Sequence, residues 1–156
     1  MTGQRTLVYL AAELAGGIVG AFALKAVVPK EIFSAAEGGA TVLAPFFAVG
    51  KGILMEAIGT FFLVWAVFAT AIDPRGPFNK TAGLTIGLTI TFGVLAIGPW
   101  TGAAFNPARW LGPALASGEW STWYVWIAGP VAGAIVAGVA YWLVFLKPNE
   151  TATEQP

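Results

Sequence analysis

Four long apolar runs constrain the fold of this chain more than any other feature of its sequence. At 1.5 Å per residue, a helix of about 20 residues crosses the roughly 30 Å hydrocarbon layer of a membrane. The runs extend over Leu7 to Val28, Ile53 to Ile72, Ala82 to Ile97 and Trp123 to Leu146. They predict an all-α, multi-pass integral membrane protein, with a single membrane domain over residues 1–156 that lies in a lipid bilayer.

The composition favours this class and excludes several functions. Of the 156 residues, 57% are hydrophobic and only 10% are charged, against roughly 25% charged in a soluble domain. The net charge is zero and no basic run occurs, so we expect no nucleic-acid partner. Cysteine and histidine are both absent, which removes thiolate nucleophiles, Ser/His/Asp catalysis and the usual zinc ligands. We therefore expect no catalytic residues, no metal and no cofactor.

The polar segments between the runs set the predicted topology. Pro29 to Gly52 form a long loop, which is either a flap over a pore mouth or a plain connector, and Lys147 to Pro156 form a polar tail. Four spans place both termini on one side. Cytoplasmic segments carry an excess of Lys and Arg, and the side with the termini has more of them (Arg5, Arg75, Lys80 and Lys147, against Lys25, Lys30 and Lys51). We expect cytoplasmic termini and an extracellular loop at 29–52.

Small residues recur at a spacing of four in three of the runs. The pairs are Gly16 and Gly20, with Gly17 and Ala21 beside them, Gly83 and Gly87, and Gly129 and Gly133. Such pairs let two helix backbones approach closely in a membrane. We expect helix–helix contacts at these glycines.

The segment 101–117 contains a helix start in an improbable place. In its first part, TGAAFNPAR, the small residues Gly102, Ala103 and Ala104 allow close backbone approach. Asn106 can cap a helix, Pro107 suits a first helical position, and Arg109 lies one turn in. This start lies between two apolar runs, and the helix it begins is about half the length needed to cross a membrane. We predict a re-entrant loop and half-helix.

A half-helix that begins inside a membrane points unpaired backbone N–H groups at that depth, and such backbone persists only in protein or beside water. A pore should therefore meet Asn106, whose side-chain NH₂ group can donate to a passing solute while the preceding carbonyl groups accept. The fixed charge of Arg109 would oppose cations without blocking neutral molecules. The alternative for Arg109 is an ordinary snorkelling arginine.

Two carboxylates lie inside predicted spans. Glu13 is one to two turns into the first span, where a buried contact with another helix and a place on a wet path are both open. Glu56 is near the first turn of the second, where the helix dipole tolerates a negative charge and the side chain can still reach the interface. No second catalytic group is spaced to work with either, which argues against a membrane enzyme. We expect both to be structural, buried polar residues.

Several of these segments resemble the aquaporins, or major intrinsic proteins. Asn106, Pro107 and Ala108 match the family's Asn-Pro-Ala signature, and Arg109 matches the arginine of its selectivity filter. The flanking TGAAFNPARWLGPAL looks like the second re-entrant loop of the family, and the four runs resemble its third to sixth spanning helices, with Glu56 at the buried-glutamate position. The resemblance implies a right-handed bundle of four spans plus a half-helix, a plasma-membrane location and a homotetramer.

The resemblance also implies a missing part and a solute class. Family members have six spans and two Asn-Pro-Ala half-helices, so we expect a truncated member that needs a complementary chain, or else a non-conducting fragment or interaction module. The family filter takes residues at the positions of Val94 and Ala103, and strictly water-selective members usually have histidine at the first. Glycerol facilitators usually have aspartate at the position of Trp110. We therefore expect a passive channel for water and other small neutral solutes, with a wider filter than that of a strict water channel.

Overall fold

All regular secondary structure is helical in the residues that the computed structural model describes, 2–76 and 79–147, and no strand occurs in them. The helices are α1 (Gly3–Val27), α2 (Lys30–Ala35), α3 (Val49–Val67), α4 (Ala82–Thr101), α5 (Pro107–Ser117) and α6 (Val125–Tyr141). Helices α3 and α6 each continue as a π-helical turn, Phe68–Ile72 and Trp142–Leu146 respectively, and short 3-10 turns occupy Glu37–Gly39 and Asn79–Thr81. The predicted polar tail, apart from Lys147, lies outside the described residues.

Four of the helical segments are long and apolar enough to cross a membrane. They are Gly3–Val27, Val49–Ile72, Ala82–Thr101 and Val125–Leu146, with 25, 24, 20 and 22 residues. Helix α5 has only 11 residues, which at 1.5 Å per residue is about half a crossing. The prediction of an all-α membrane protein with four spans and one half-helix is therefore confirmed.

The ends of these helices differ from the sequence-based bounds in ways that concern the site. Helix α3 begins four residues earlier than predicted, and the segment before it contains the short helix α2 as well as loop. Helix α4 continues through Pro99 and ends where the N–H of Gly102, at φ 78°, donates to Gly98 O at 2.9 Å. A glycine can adopt this left-handed conformation without strain. The re-entrant loop therefore starts directly at the end of a spanning helix.

The contact predicted at Gly129 and Gly133 of α6 is confirmed, and its partner is α3. A Cβ atom added to Gly129 would lie 2.8 Å from Ile53 O, and one added to Gly133 would lie 2.1 Å from Ala57 O. Both distances are far shorter than an ordinary carbon–oxygen contact, so only glycine allows this approach. These two helices make the most extensive interhelical contact among the described elements.

The glycine contact predicted for α1 forms at Gly17 and not at Gly16 or Gly20. Helix α1 packs against α5 through Gly17, where an added Cβ would lie 2.5 Å from Ala108 O, and Gly112 faces Gly17 O in the same way. An added Cβ at Gly16 or Gly20 would meet nothing within 4 Å in the described structure. The prediction for these two was wrong because the pairs Gly16/Gly20 and Gly17/Ala21 lie on adjacent faces of one helix, and spacing alone does not say which face is used. The pair Gly83/Gly87 of α4 likewise meets nothing within 4 Å among the described residues.

A cluster of hydrogen bonds around Asp73 and Arg75 joins the carboxyl ends of the α3 and α6 segments. Arg75 donates to Asp73 through Nε and Nη2, both at 2.9 Å, and through its backbone N–H at 3.0 Å. The hydroxyl of Tyr141 donates to Asp73 Oδ2 at 3.2 Å, and Arg75 also donates to the carbonyl of Phe145. The Arg75 guanidinium and backbone N–H hold the pKa of Asp73 far below its usual range.

Candidate functional site

The loop between α4 and α5 has a strained backbone. Gly102, Ala103 and Phe105 have φ values of 78°, 49° and 54°, and the last two are non-glycine residues in the left-handed region. Each costs on the order of 1–3 kcal/mol and persists only where the surroundings hold it. Gly102 is also required for space, because an added Cβ would lie 2.8 Å from Thr41 Cα.

Glu56 of α3 supplies the restraint. Its side chain is fully buried, and it accepts hydrogen bonds from Thr101 Oγ1 at 2.6 Å, from the N–H of Ala104 at 3.0 Å and from the N–H of Phe105 at 2.8 Å. The hydroxyl of Thr101 accepts in turn from the N–H of Ala103 at 3.1 Å. Three consecutive N–H groups of the loop are thus bound, directly or through Thr101, by one carboxylate. Glu56 therefore does not snorkel to the interface and does not cap its own helix.

Phe105 fixes the depth of the loop. An added Cβ at Gly59 of α3 would lie 2.1 Å from Phe105 Cε1, and one at Gly93 of α4 would lie 2.6 Å from Phe105 Cε2. The ring fills the gap that these two glycines leave, and it is 5% exposed. Because Gly59 and Gly93 both lie near the middle of membrane-length segments, the residue after Phe105 lies near mid-depth of the bundle.

That residue is Asn106, which caps α5 as the sequence predicts. Its Oδ1 accepts from the N–H of Ala108 at 2.7 Å, and Pro107 occupies the first helical position. The capping bond fixes the amide so that Nδ2 points away from the helix. Nδ2 donates to Glu13 Oε1 of α1 at 2.5 Å. Ala108 is buried against α1 at Gly17, so the Asn-Pro-Ala turn is held on both sides.

Arg109 lies one turn into α5 and is held by the long loop before α3. Its Nη1 donates to Gly39 O at 3.2 Å, and the residue itself is exposed. Further along that loop, the N–H of Ala44 donates to Trp100 O at 2.9 Å. This part of the 29–52 loop thus packs on the site, beyond what a plain connector requires.

A groove of about 570 Å³ runs along α1 and α5 and brings together Glu13, Asn106 and Arg109. Gly16 and Gly20, which have no helix partner in the described structure, form part of its wall. Glu13 is exposed to this groove, so our expectation that it is buried was wrong: α1 packs against α5 on the adjacent face. The groove combines donors, a carboxylate and one fixed positive charge along a surface of small residues.

Two predicted filter residues are not part of this groove wall. Val94 is 44% exposed on α4 but does not line the groove. Ala103 is 4% exposed, and its methyl group packs with Ile97 and Phe105. The role of these two residues in a filter stays a prediction.

The sequence reasoning missed four residues of the site. Thr101 links Ala103 to Glu56, Phe105 fills the gap between two glycines, and Trp126 of α6 donates from Nε1 to Thr101 O at 2.9 Å. Lys25 of α1 donates to Ala116 O, near the far end of α5, at 2.5 Å. The isolated glycines at 59 and 93 were a readable signal for a large side chain nearby, whereas nothing in the sequence links Lys25 to residue 116.

Four membrane-length segments around a half-helix that starts at mid-depth define a multi-pass membrane protein built around a re-entrant loop. Within that class, the chain belongs to the major intrinsic protein family, which matches residues 1–141. It is 40% identical to aquaporin TIP4-4 of Zea mays over 139 residues, and this match covers 88% of the chain and 53% of that protein. It is 39% identical to aquaporin TIP2-1 of Arabidopsis thaliana, with 95% and 59% covered, and 36% identical to aquaporin-4 of Homo sapiens, with 94% and 45% covered. The chain thus spans about half the length of these relatives.

Proposed function

We propose that this chain forms part of a passive transmembrane channel for water and other small neutral solutes. The observation that carries the proposal is the position of Asn106, a hydrogen-bond donor at the amino end of a half-helix, near mid-depth and beside a groove. A solute that loses its hydration shell in an apolar bilayer needs replacement hydrogen bonds along its path. The names of the relatives, all aquaporins, agree with this function.

In this proposal, Arg109 is the residue that excludes cations. The guanidinium keeps its charge under all physiological conditions, and the amino end of α5 adds a partial positive charge of roughly half a unit. Both raise the energy of a nearby cation and leave a neutral solute unaffected, whereas Glu13, which lines the same groove, acts in the opposite direction. The residues at the positions of Val94 and Trp110 support a water-channel relative that also passes other small neutral molecules.

Osmotic shrinkage of proteoliposomes tests this function. Vesicles that hold the inserted chain should shrink faster in a hyperosmotic jump than empty vesicles, without requiring any metal or cofactor. Arg109→Val should keep water permeability and increase proton or cation leak, measured with an entrapped pH dye. Arg5→Val is the matched control, because it removes the same charge at an exposed position in the first turn of α1. Shrinkage equal to that of empty vesicles would refute conduction by this chain alone and leave a non-conducting fragment or interaction module.

We also propose cytoplasmic termini, supported by the distribution of Lys and Arg, and a location in the plasma membrane. The absence of cysteine from the sequence makes the test direct, because a single cysteine can be introduced at Thr2 or at Lys51 without background. An impermeant thiol reagent added to intact cells should label Lys51→Cys and spare Thr2→Cys. The opposite pattern would reverse the proposed orientation, and labelling only after fractionation of internal membranes would exclude the plasma membrane.

The assembly that we propose is a homotetramer or a pairing with a complementary chain, on the basis of family membership. Native mass spectrometry of the detergent-solubilised chain distinguishes them. A tetramer mass supports the first, and a monomer mass that shifts only when a second polypeptide is co-expressed supports the second. A monomer in both preparations would exclude both forms of assembly.

A further inference from the structure

Helix α1 contacts the half-helix α5 at both of its ends. Glu13 Oε1 accepts from Asn106 Nδ2 at the amino end, and Lys25 Nζ donates to Ala116 O at the carboxyl end, both at 2.5 Å. The two helices therefore run in the same direction. The twelve residues from Glu13 to Lys25 correspond to about 18 Å of helix, and the ten from Asn106 to Ala116 to about 15 Å. Two polar contacts on one helix thus bracket almost the whole length of the other.

The signs of these two charges match the dipole of α5. A helix carries a partial positive charge at its amino end and a partial negative charge at its carboxyl end. Glu13 presents a carboxylate to the first and Lys25 an ammonium group to the second. The ammonium of Lys25 also lies over two aromatic rings, 5.8 Å from the centroid of Phe22 and 5.7 Å from that of Phe33. Between the two ends, α1 and α5 are in backbone contact at Gly17.

Glu13 has a specific consequence for the asparagine. The capping bond to Ala108 fixes which side of the amide faces the helix, but it leaves both Nδ2 protons to find acceptors. Glu13 takes one of them, so the other has a single defined direction. An amide that lacked this acceptor would keep its cap and lose the fixed direction of its donors.

We propose that Glu13 is a positioning residue for Asn106, and that Lys25 holds the opposite end of the same half-helix so that α1 sets the position of the pore asparagine. This inference rests on the proposed function only in giving Asn106 a solute to meet. The geometry at Asn106 is measurable without any conduction.

The experiment uses the side-chain amide of Asn106 as a reporter. The sequence contains three asparagines, Asn79, Asn106 and Asn149, so asparagine-selective ¹⁵N labelling in detergent micelles gives three side-chain signals. The substitutions Asn79→Asp and Asn149→Asp identify the remaining one. Glu13→Leu should speed solvent exchange of the Asn106 amide protons about tenfold, the factor that corresponds to one hydrogen bond of about 1.4 kcal/mol.

The conservative variant and a remote one make this test specific. Glu13→Gln keeps an acceptor oxygen and should leave exchange within about threefold of the wild-type rate, an energy change smaller than one typical hydrogen bond. Glu31→Leu, which removes an exposed acid from α2, should change nothing. Insertion is not at risk, because leucine is better tolerated than glutamate inside a span. Unchanged exchange in Glu13→Leu, or equal acceleration in Glu13→Gln, would overturn the role of Glu13.

Permeability of the same variants separates this inference from the proposed function. If the wild-type chain does not conduct but Glu13→Leu accelerates exchange, the positioning contact stands and the proposed function fails. If the wild-type chain conducts, Glu13→Leu should conduct at least several-fold less than Glu13→Gln. Equal conduction by these two variants would overturn the claim that the contact serves the pore.

The carboxyl end has its own reporter. The N–H of Gly118 donates to Ala114 O at 2.9 Å in the last turn of α5. Lys25→Met removes the donor to Ala116 and keeps the length of the side chain, so exchange of the Gly118 amide should become several-fold faster. Lys25→Arg keeps a donor and should restore the slow exchange. Identical rates in Lys25→Met and the wild type would remove Lys25 from the proposal.

Discussion

Replacing Glu56 with glutamine is the sharpest test of how the re-entrant loop is held. The three groups that contact Glu56 are all donors: the hydroxyl of Thr101 and the N–H groups of Ala104 and Phe105. The hydroxyl of Thr101 can rotate to accept a second hydrogen bond, but the two backbone N–H groups can only donate, and they bond to different oxygens of Glu56. Oε1 serves two donors and Oε2 serves the third. A glutamine has only one oxygen, so Glu56→Gln cannot satisfy this set.

The expected cost follows from that count. With its oxygen towards Thr101 and Ala104, the glutamine turns its NH₂ group towards the N–H of Phe105, and two buried donors face each other. A buried donor without a partner costs about 1–3 kcal/mol. The two bonds that remain lose their ionised acceptor, and charge-assisted bonds are roughly twice as strong as neutral ones. We expect Glu56→Gln to lower the free energy of unfolding by about 2–4 kcal/mol.

The assay is equilibrium unfolding of purified protein in mixed micelles, with helix content followed by circular dichroism. The matched control is Glu119→Gln, because the side chain of Glu119 is partly exposed and, among the described residues, bonds only to Ser121, two positions along the chain. This substitution should change stability by less than about 0.5 kcal/mol. Water permeability of Glu56→Gln should fall as well, because the strained loop is then free to relax and move Asn106. A stability of Glu56→Gln equal to that of the control would refute the view that this carboxylate holds the loop.

Two further predictions concern the helix contacts. Gly133→Ala should destabilise the protein by about 1–3 kcal/mol, because the added Cβ would lie 2.1 Å from Ala57 O. In Gly87→Ala the added Cβ meets nothing within 4 Å, so this substitution should stabilise the protein by up to about 1 kcal/mol. Equal melting temperatures of the two variants would contradict the close contact at Gly133. Asp73→Asn should lower the melting temperature at pH 7. The pKa of Asp73 is depressed in the fold, so the contribution of its carboxylate is fully present above the unfolded pKa of about 4 and is lost as the pH falls through the folded pKa. The difference from the wild type should thus stay constant from pH 8 to 5 and narrow only below about pH 4, and a difference that already narrows between pH 7 and 5 would refute the strong coupling of Asp73 with Arg75.

The elements that the sequence predicts well are those whose signal is local. A long apolar run has only one stable form in a bilayer, so the four spans needed no tertiary information. The half-helix start was equally readable, because the cap at Asn106 and the proline after it act within one turn. The contact predicted at Gly129 and Gly133 of α6 also forms.

The contacts that the sequence did not predict join residues far apart in the chain. Glu56 and Lys25 each bond to a group 45 or more positions away, and no local pattern specifies such a partner. Helix α1 shows the limit most clearly. It has two adjacent small faces, one used for packing and one exposed to the groove, and choosing between them requires the position of α5.

The hydrogen bonds of Glu56 also separate the backbone donors of the re-entrant loop from its acceptors. A peptide chain carries one donor and one acceptor per residue, and within a membrane both need hydrogen-bond partners. Here the N–H groups of Ala104 and Phe105 turn to Glu56, and that of Ala103 turns to Thr101. In the described parts of the chain, no hydrogen bond reaches the carbonyl oxygens of Gly102, Ala103 or Ala104, whereas that of Phe105 accepts from Thr60 at 3.3 Å. A buried carboxylate that takes up the donors leaves a row of acceptors without protein partners, followed at once by the donor of Asn106.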